Sequence, residues 1–148
     1  MKRREKGFTL IELLVSITIM GIIATIMLMY LSNTRGRGND TKVKAQLVSV
    51  RSTAEIFYSN KNSYNGLAGS ISGSCNTLNS MFTDTVSDMA KYTDPSNYPN
   101  DATLTCYSTA KAYAISALLP GAGGTNSWCV DSLNNSKARP TPINSTIC

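Results

Sequence analysis

The longest apolar segment of the chain covers residues 8–31, and Glu12 is the single charged residue within it. A helix of this length rises about 36 Å at about 1.5 Å per residue, enough to cross a hydrocarbon core of about 30 Å. A short basic block, residues 2–6, precedes it and is expected to lie against anionic headgroups. The pattern therefore predicts a membrane-spanning helix.

Glu12 needs a reason to lie in this helix, because a carboxylate in lipid is costly. One interpretation is local: residues 9–12 read Thr-Leu-Ile-Glu, a capping box in which Thr9 and Glu12 satisfy each other's backbone N–H groups. The other is intermolecular. If the chain is cut after Gly7, Phe8 becomes a positive amino terminus that Glu12 of a neighbouring subunit can neutralise when apolar helices pack side by side. The two interpretations are compatible.

A second apolar pattern follows a stretch of weak helix formers. Residues 32–40 contain two glycines and read as a break, after which Asn39 or Asp40 caps a second helical segment to about Tyr58. Arg35 and Arg37 are solvated or lipid-facing charges, or they pair across subunits with Asp40 or Glu55. Spacings of 4, 3, 4 and 3 then place five apolar residues on one face that should bury against a sheet. These residues are Val43, Leu47, Val50, Ala54 and Phe57.

The rest of the chain alternates between loops and short strand patterns. Residues 65–100 are rich in loop signals, with a short helix expected over residues 78–92 that aligns Leu78, Phe82, Val86 and Met89. Strands are expected over residues 102–109, 112–119 and 126–133, with a turn at 120–125 and an irregular tail from 134. The prediction is an α+β fold: a long N-terminal helix, with a hydrophobic protruding half and an amphipathic half, packed on about three antiparallel strands.

Chemistry-bearing residues are sparse. The chain has no histidine, which excludes histidine-based triads and histidine metal ligands. The glycines of residues 121–124 lack the strand–helix context of a phosphate loop. The net charge of +5 falls to +2 from Phe8 onward, with 10 Lys and Arg against 8 Asp and Glu, so nucleic acid is not expected as the main partner. We predict no enzyme activity, no cofactor and no metal site.

Four cysteines lie beyond the apolar run, and none forms a C-x-x-C pair. An even number in a small exported domain favours two disulfides, for which three connectivities exist. We favour Cys75–Cys106 and Cys129–Cys148, because the second would hold a C-terminal tail that has little else to hold it. Disulfides also place this part of the chain outside the cytoplasm.

Residues 6–15, Lys-Gly-Phe-Thr-Leu-Ile-Glu-Leu-Leu-Val, resemble the prepilin signature of type IV pilins and type II secretion pseudopilins. The resemblance covers about the first 31 residues and, more weakly, the next helix. It implies a leader of residues 1–7 removed between Gly7 and Phe8, methylation of Phe8 and an assembly role for Glu12. It also implies a filament-core helix of residues 8–31 and an extracytoplasmic domain of residues 32–148.

The same resemblance implies where the protein is located before and after assembly, and which partners it has. A single-pass precursor in the bacterial inner membrane would become an extracellular or periplasmic helical filament of many copies. The partners would be membrane lipid, the prepilin peptidase and methyltransferase, the inner-membrane assembly platform and other minor pilins. Many major pilins carry a helix proline where this chain has Met29, which leaves major pilin, minor pilin and pseudopilin open. The alternative function is a minor pilin that acts as a tethered or tip-located adhesion or DNA-binding module.

Overall fold

The computed structural model describes residues 7–100, 102–122 and 126–148, with backbone alone for residues 32, 33 and 122. Contacts divide the chain into two compact units, one ending at Arg35 and one comprising Gly36–Cys148. The helices are α1 (Leu10–Lys61) and α2 (Met89–Thr93), with short 3-10 turns at Met81–Thr83, Pro95–Asn97 and Pro120–Ala122. The strands are β1 (Ile71–Gly73), β2 (Leu104–Ser108), β3 (Tyr113–Leu118), β4 (Ser127–Asp131) and β5 (Ser136–Arg139).

Helix α1 passes through residues 32–40, so the predicted break, with a new cap at Asn39 or Asp40, is wrong. One of the glycines there, Gly36, serves close packing instead. A Cβ atom on Gly121, in the β3–β4 connection, would lie 2.5 Å from the carbonyl oxygen of Gly36. The Gly121 N–H donates to the Asp40 carboxylate at 2.7 Å. Residues that weaken an isolated helix thus let a loop approach its backbone.

The predicted buried face of α1 is confirmed. Val43, Leu47, Val50 and Ala54 are fully buried and Phe57 almost so. The helix continues to Lys61, one turn beyond the predicted end. Asn62 then takes a positive φ of 53° and donates its N–H to the Tyr58 carbonyl, which closes the helix.

The sheet has five antiparallel strands in the order β1-β2-β3-β4-β5. The three predicted strands are confirmed as β2, β3 and β4. The expected number of about three was too low, because two edge strands escaped prediction. β1 has only three residues, and β5 reads Ser-Lys-Ala-Arg with no apolar alternation. The tail is therefore not irregular throughout, since β5 lies within it.

Both faces of strand β3 are covered. Tyr113, Ile115 and Ala117 belong to the main core together with the buried face of α1. On the opposite face, Ala114 packs in a second cluster with three residues of β4 and the tail. The three are Cys129, Ile143 and Cys148. The tail therefore acts as the outer layer of the sheet.

The predicted helix over residues 78–92 is largely wrong. Phe82 and Met89 are buried as expected, but Leu78 and Val86 are 79% and 80% exposed. Asp88 adopts a left-handed conformation, with φ of 61°, immediately before α2. A single helical face therefore cannot form across this segment, and Phe82 and Met89 reach the core from separate turns.

Candidate functional site

The start of α1 carries the best-defined polar arrangement of the N-terminal unit. The Thr9 N–H and hydroxyl donate to Glu12 Oε2 at 2.9 and 2.6 Å, and the Glu12 N–H donates to the Thr9 hydroxyl at 3.3 Å. The capping-box interpretation is confirmed. The carboxylate is folded back toward the N-terminus and lies one residue from Phe8.

The apolar run that follows has its side chains exposed over all of its faces. Its large side chains from Phe8 to Leu31 are between 46% and 81% exposed in the isolated chain. Hydroxyls within the run return to the helix backbone: Ser16 donates to the Glu12 carbonyl, Thr18 to that of Val15 and Thr25 to that of Ile22. Among the described residues, α1 is the one helix long and apolar enough to cross a membrane.

The predicted processing point lies at the edge of the described chain. Gly7 and Phe8 precede α1, and Phe8 is 75% exposed. The predicted basic block of residues 2–6 and most of the predicted leader lie outside the described residues. Met29 lies within regular helix, where many major pilins would carry proline. Cleavage after Gly7 and methylation of Phe8 stay predictions.

The favoured cysteine pairing is confirmed. Cys75 bonds to Cys106 with Cα atoms 5.0 Å apart, which fixes the loop after β1 to β2. Cys129 bonds to Cys148 with Cα atoms 5.8 Å apart, which fixes the tail to β4. All four cysteines of the chain are bonded.

Asp131 lies at the end of β4. It is fully buried. Its Oδ1 accepts from the N–H groups of Leu133 and Asn135, and its Oδ2 accepts from the Asn135 side chain and the Cys148 N–H. Burial alone would raise the pKa of Asp131, but these hydrogen bonds hold the pKa below its usual value. The sequence that follows, Ser-Leu-Asn-Asn, is typical of a turn and is the one sequence signal that Asp131 accepts hydrogen bonds from turn N–H groups.

The acids considered for cross-subunit salt bridges have partners within the chain. Asp40 accepts from Gly121, and Glu55 accepts from the Tyr64 hydroxyl at 2.8 Å. Burial and the Glu55 carboxylate raise the pKa of Tyr64. The Tyr64 ring lies 4.5 Å from that of Tyr58 and 4.9 Å from that of Tyr113, so the three rings pack together. Bridges to Arg35 or Arg37 stay a prediction.

A cleft of about 410 Å³ opens beside the end of α1. Phe57 lies at its wall, and the exposed Leu67 and Leu78 line it together with Lys61 and Asp84. Within the described ranges, no group of three or more acidic, cysteine or histidine residues is placed to hold a metal ion.

Comparison with known proteins finds one family model and several curated relatives. Residues 2–28 match the prokaryotic N-terminal methylation motif. The chain is 44% identical over 62 residues to the type IV wide pilus major component PilA4 of Thermus thermophilus, covering 42% of this chain and 47% of that protein. It is 32% identical over 68 residues to the type IV major pilin PilA of Myxococcus xanthus, covering 46% and 31%.

A third relative comes from a secretion machine. The type II secretion system core protein G of Aeromonas hydrophila is 30% identical over 63 residues, covering 43% of this chain and 44% of that protein. The matched regions thus span less than half the length of these curated relatives. No solved structure matches the chain significantly.

Proposed function

We propose that this chain is a structural subunit of a type IV pilus or of a pilus-like type II secretion pseudopilus. The observation that carries the proposal is the apolar run, whose side chains are exposed on all faces from Phe8 to Leu31. A helix that is apolar all round must be covered by lipid or by other helices. A helical filament provides the second cover, with the run of one subunit packed against those of its neighbours.

Processing prepares the helix for transfer from the membrane into the filament. The prepilin peptidase cuts between Gly7 and Phe8 and the new Phe8 amine is methylated. Because the cut precedes the apolar run, the anchor stays on the mature subunit. The methylation-motif match over residues 2–28 and the similarity to pilins and to core protein G support this step.

Glu12 then gives the assembly its register. In the filament its carboxylate neutralises the Phe8 amine of a neighbouring subunit, since buried charges persist when they are paired. The capping box supports this role, because Thr9 keeps the carboxylate hydrogen-bonded and folded toward the N-terminus before a neighbour arrives.

The remaining assignments concern location and partners. Residues 8–31 anchor a precursor in the bacterial inner membrane, and residues 32–148 form the domain outside the cytoplasm. Two disulfides support an oxidising compartment. The partners are further copies of this chain, other minor pilins and the assembly platform. The chain catalyses no reaction in this scheme.

The first experiment is intact-mass and N-terminal analysis of filaments sheared from cells that express the full chain. We expect an abundant subunit that begins at methylated Phe8. A protein that keeps Met1 and is found only as single copies in the membrane would contradict the proposal.

The second experiment changes Glu12→Ala and Glu12→Lys. Export and cleavage should persist, while the yield of sheared filaments should fall at least about tenfold, because breaking a buried ion pair costs about 3–5 kcal/mol. Asp88→Asn, an exposed acid in a left-handed turn, is the matched control and should assemble normally. A normal filament yield from both Glu12 variants would remove the assembly role.

The cleft beside Phe57 favours one alternative, a minor pilin that binds a surface ligand. Its exposed leucines and single cation offer a mixed apolar and charged lining. Such a pilin would be present in a few copies per filament rather than as the bulk of it. Quantitative mass spectrometry of the same sheared filaments separates the two proposals.

A further inference from the structure

The buried carboxylate of Asp131 lies between a turn and the C-terminal tail, and its two oxygens accept hydrogen bonds from different donors. Oδ1 accepts the N–H groups of Leu133 and Asn135, both at 3.0 Å, and so holds the β4–β5 turn. Oδ2 accepts the Asn135 side-chain amide and the Cys148 N–H, both at 2.8 Å. One oxygen therefore shapes the turn, and the other links that turn to Cys148.

Cys148 forms a disulfide with Cys129, which is on the same strand as the Asp131 carboxylate. Cys129 and Asp131 are two residues apart on β4, so their side chains share the outer face of the sheet. The hydrogen bond to the Cys148 backbone therefore lies on the same face of the sheet as the Cys129–Cys148 disulfide. The Cα atoms of Cys129 and Cys148 are 5.8 Å apart, within the range that a disulfide needs.

Other contacts bring the tail to the sheet but leave the position of Cys148 open. Ile143 is buried and donates its N–H to Ser116 Oγ at 3.2 Å, and the Thr141 carbonyl accepts from Ser127. Cys148 lies five residues beyond Ile143, a length of chain that can extend about 17 Å. The final approach therefore depends on groups that bind Cys148 itself. These are Asp131 and Arg139, whose guanidinium donates to the Cys148 carbonyl.

We infer that Asp131 is a positioning residue for oxidative folding: it binds the backbone of reduced Cys148 and presents its thiol to Cys129. The step itself is a thiol–disulfide exchange. The two thiols lose two protons and two electrons as the S–S bond forms, and a disulfide oxidant such as glutathione disulfide accepts them and becomes two reduced thiols. Asp131 touches neither sulfur and acts through the effective concentration of one thiol near the other. The inference is independent of the proposed filament function.

The test substitution is Asp131→Asn in the full-length chain in detergent micelles. An asparagine oxygen in the place of Oδ1 keeps the two turn hydrogen bonds. Its amide group then replaces Oδ2 and faces two donors, so the contact to the Cys148 N–H is lost together with that to the Asn135 side chain, while the two turn N–H groups keep their acceptor. Asp94→Asn is the matched control, because this exposed acid caps a 3-10 turn through one oxygen that asparagine retains.

The reduced proteins are equilibrated in mixtures of reduced and oxidised glutathione, quenched with acid and alkylated, and the two disulfides are quantified by peptide mass. We expect the effective concentration for Cys129–Cys148 to fall at least about tenfold in Asp131→Asn, as hydrogen bonds to charged groups are worth about that factor or more. Cys75–Cys106, measured in the same molecules, should be unchanged. Asp94→Asn should resemble the parent protein for both bonds.

Two outcomes would overturn the inference. An unchanged effective concentration for Cys129–Cys148 would show that Ile143 and Arg139 place the tail without Asp131. An equal fall for both disulfides would show that Asp131 supports the whole domain rather than the position of Cys148. The fluorescence of Trp128, the one tryptophan in the sequence, reports independently whether the sheet has folded.

Discussion

Two parts of helix α1 contain similar aliphatic residues, which are exposed in the first part and buried along one face in the second. Up to Leu31, the large aliphatic side chains are exposed on every face. From Gly36 onward, a single stripe that begins at Val43 is completely buried, and Val48 and Ile56 between its members stay about half exposed. Both parts are regular helix. They differ in whether the rest of the same chain covers their apolar side chains.

The comparison shows what hydrophobic periodicity means for assembly. A stripe at spacings of 4 and 3 matches one sheet face, and this chain supplies that sheet. A helix apolar all round has more apolar surface than one sheet can cover, so its cover has to come from lipid or from other molecules. The first pattern predicts packing within the chain, and the second predicts that lipid or other molecules cover the helix.

The sharpest way to test this contrast is a pair of leucine truncations. Leu47→Ala removes a fully buried side chain and should lower the free energy of unfolding by about 3 kcal/mol. Leu13→Ala removes a side chain that is 59% exposed and should leave that free energy unchanged. Urea unfolding of the full chain in micelles, followed by Trp128 fluorescence, measures both. A comparable loss from Leu13→Ala would mean that the apolar run supports the domain fold.

A smaller effect is expected where the β3–β4 connection touches α1. Gly121→Ala places a methyl group 2.5 Å from the Gly36 carbonyl oxygen, so we expect a loss of about 2 kcal/mol and faster amide exchange around Asp40. Gly38→Ala is the control: its added methyl group meets no atom within 4 Å, and it should stabilise the helix by about 1 kcal/mol. Equal effects of the two substitutions would contradict the close contact.

The smallest effect concerns the capping box. Thr9→Val keeps the shape of the side chain but removes the hydroxyl, which should cost about 1 kcal/mol of local helix stability. Thr9→Ser keeps the hydroxyl and should lose little. Hydrogen exchange of the Leu13 amide, which donates to the Thr9 carbonyl, measures the change. Equal protection of that amide in both variants would show that the Thr9 side chain does not hold the helix start.

Local patterns predicted a large share of this structure. The buried stripe of α1, the three central strands and the Thr9–Glu12 box follow from periodicity and capping rules that act over a few residues. Strand β5 did not follow, because its polar residues join the sheet through pairing with β4 rather than through burial. The glycines at 36 and 38 misled, because local propensity registers their cost to a helix but not the loop that packs against Gly36.

By itself, the sequence determined that the first part of the chain needs lipid or companion helices, since no arrangement of one chain this size hides an apolar run on all sides. It also determined which side of α1 faces inward, because helical spacing leaves one choice. Only the tertiary structure decided how Asp131, Cys129 and Cys148 meet, and why Gly36 sits opposite Gly121. Those contacts join residues far apart along the chain, and a carboxylate's value as an acceptor depends on donors that folding brings to it.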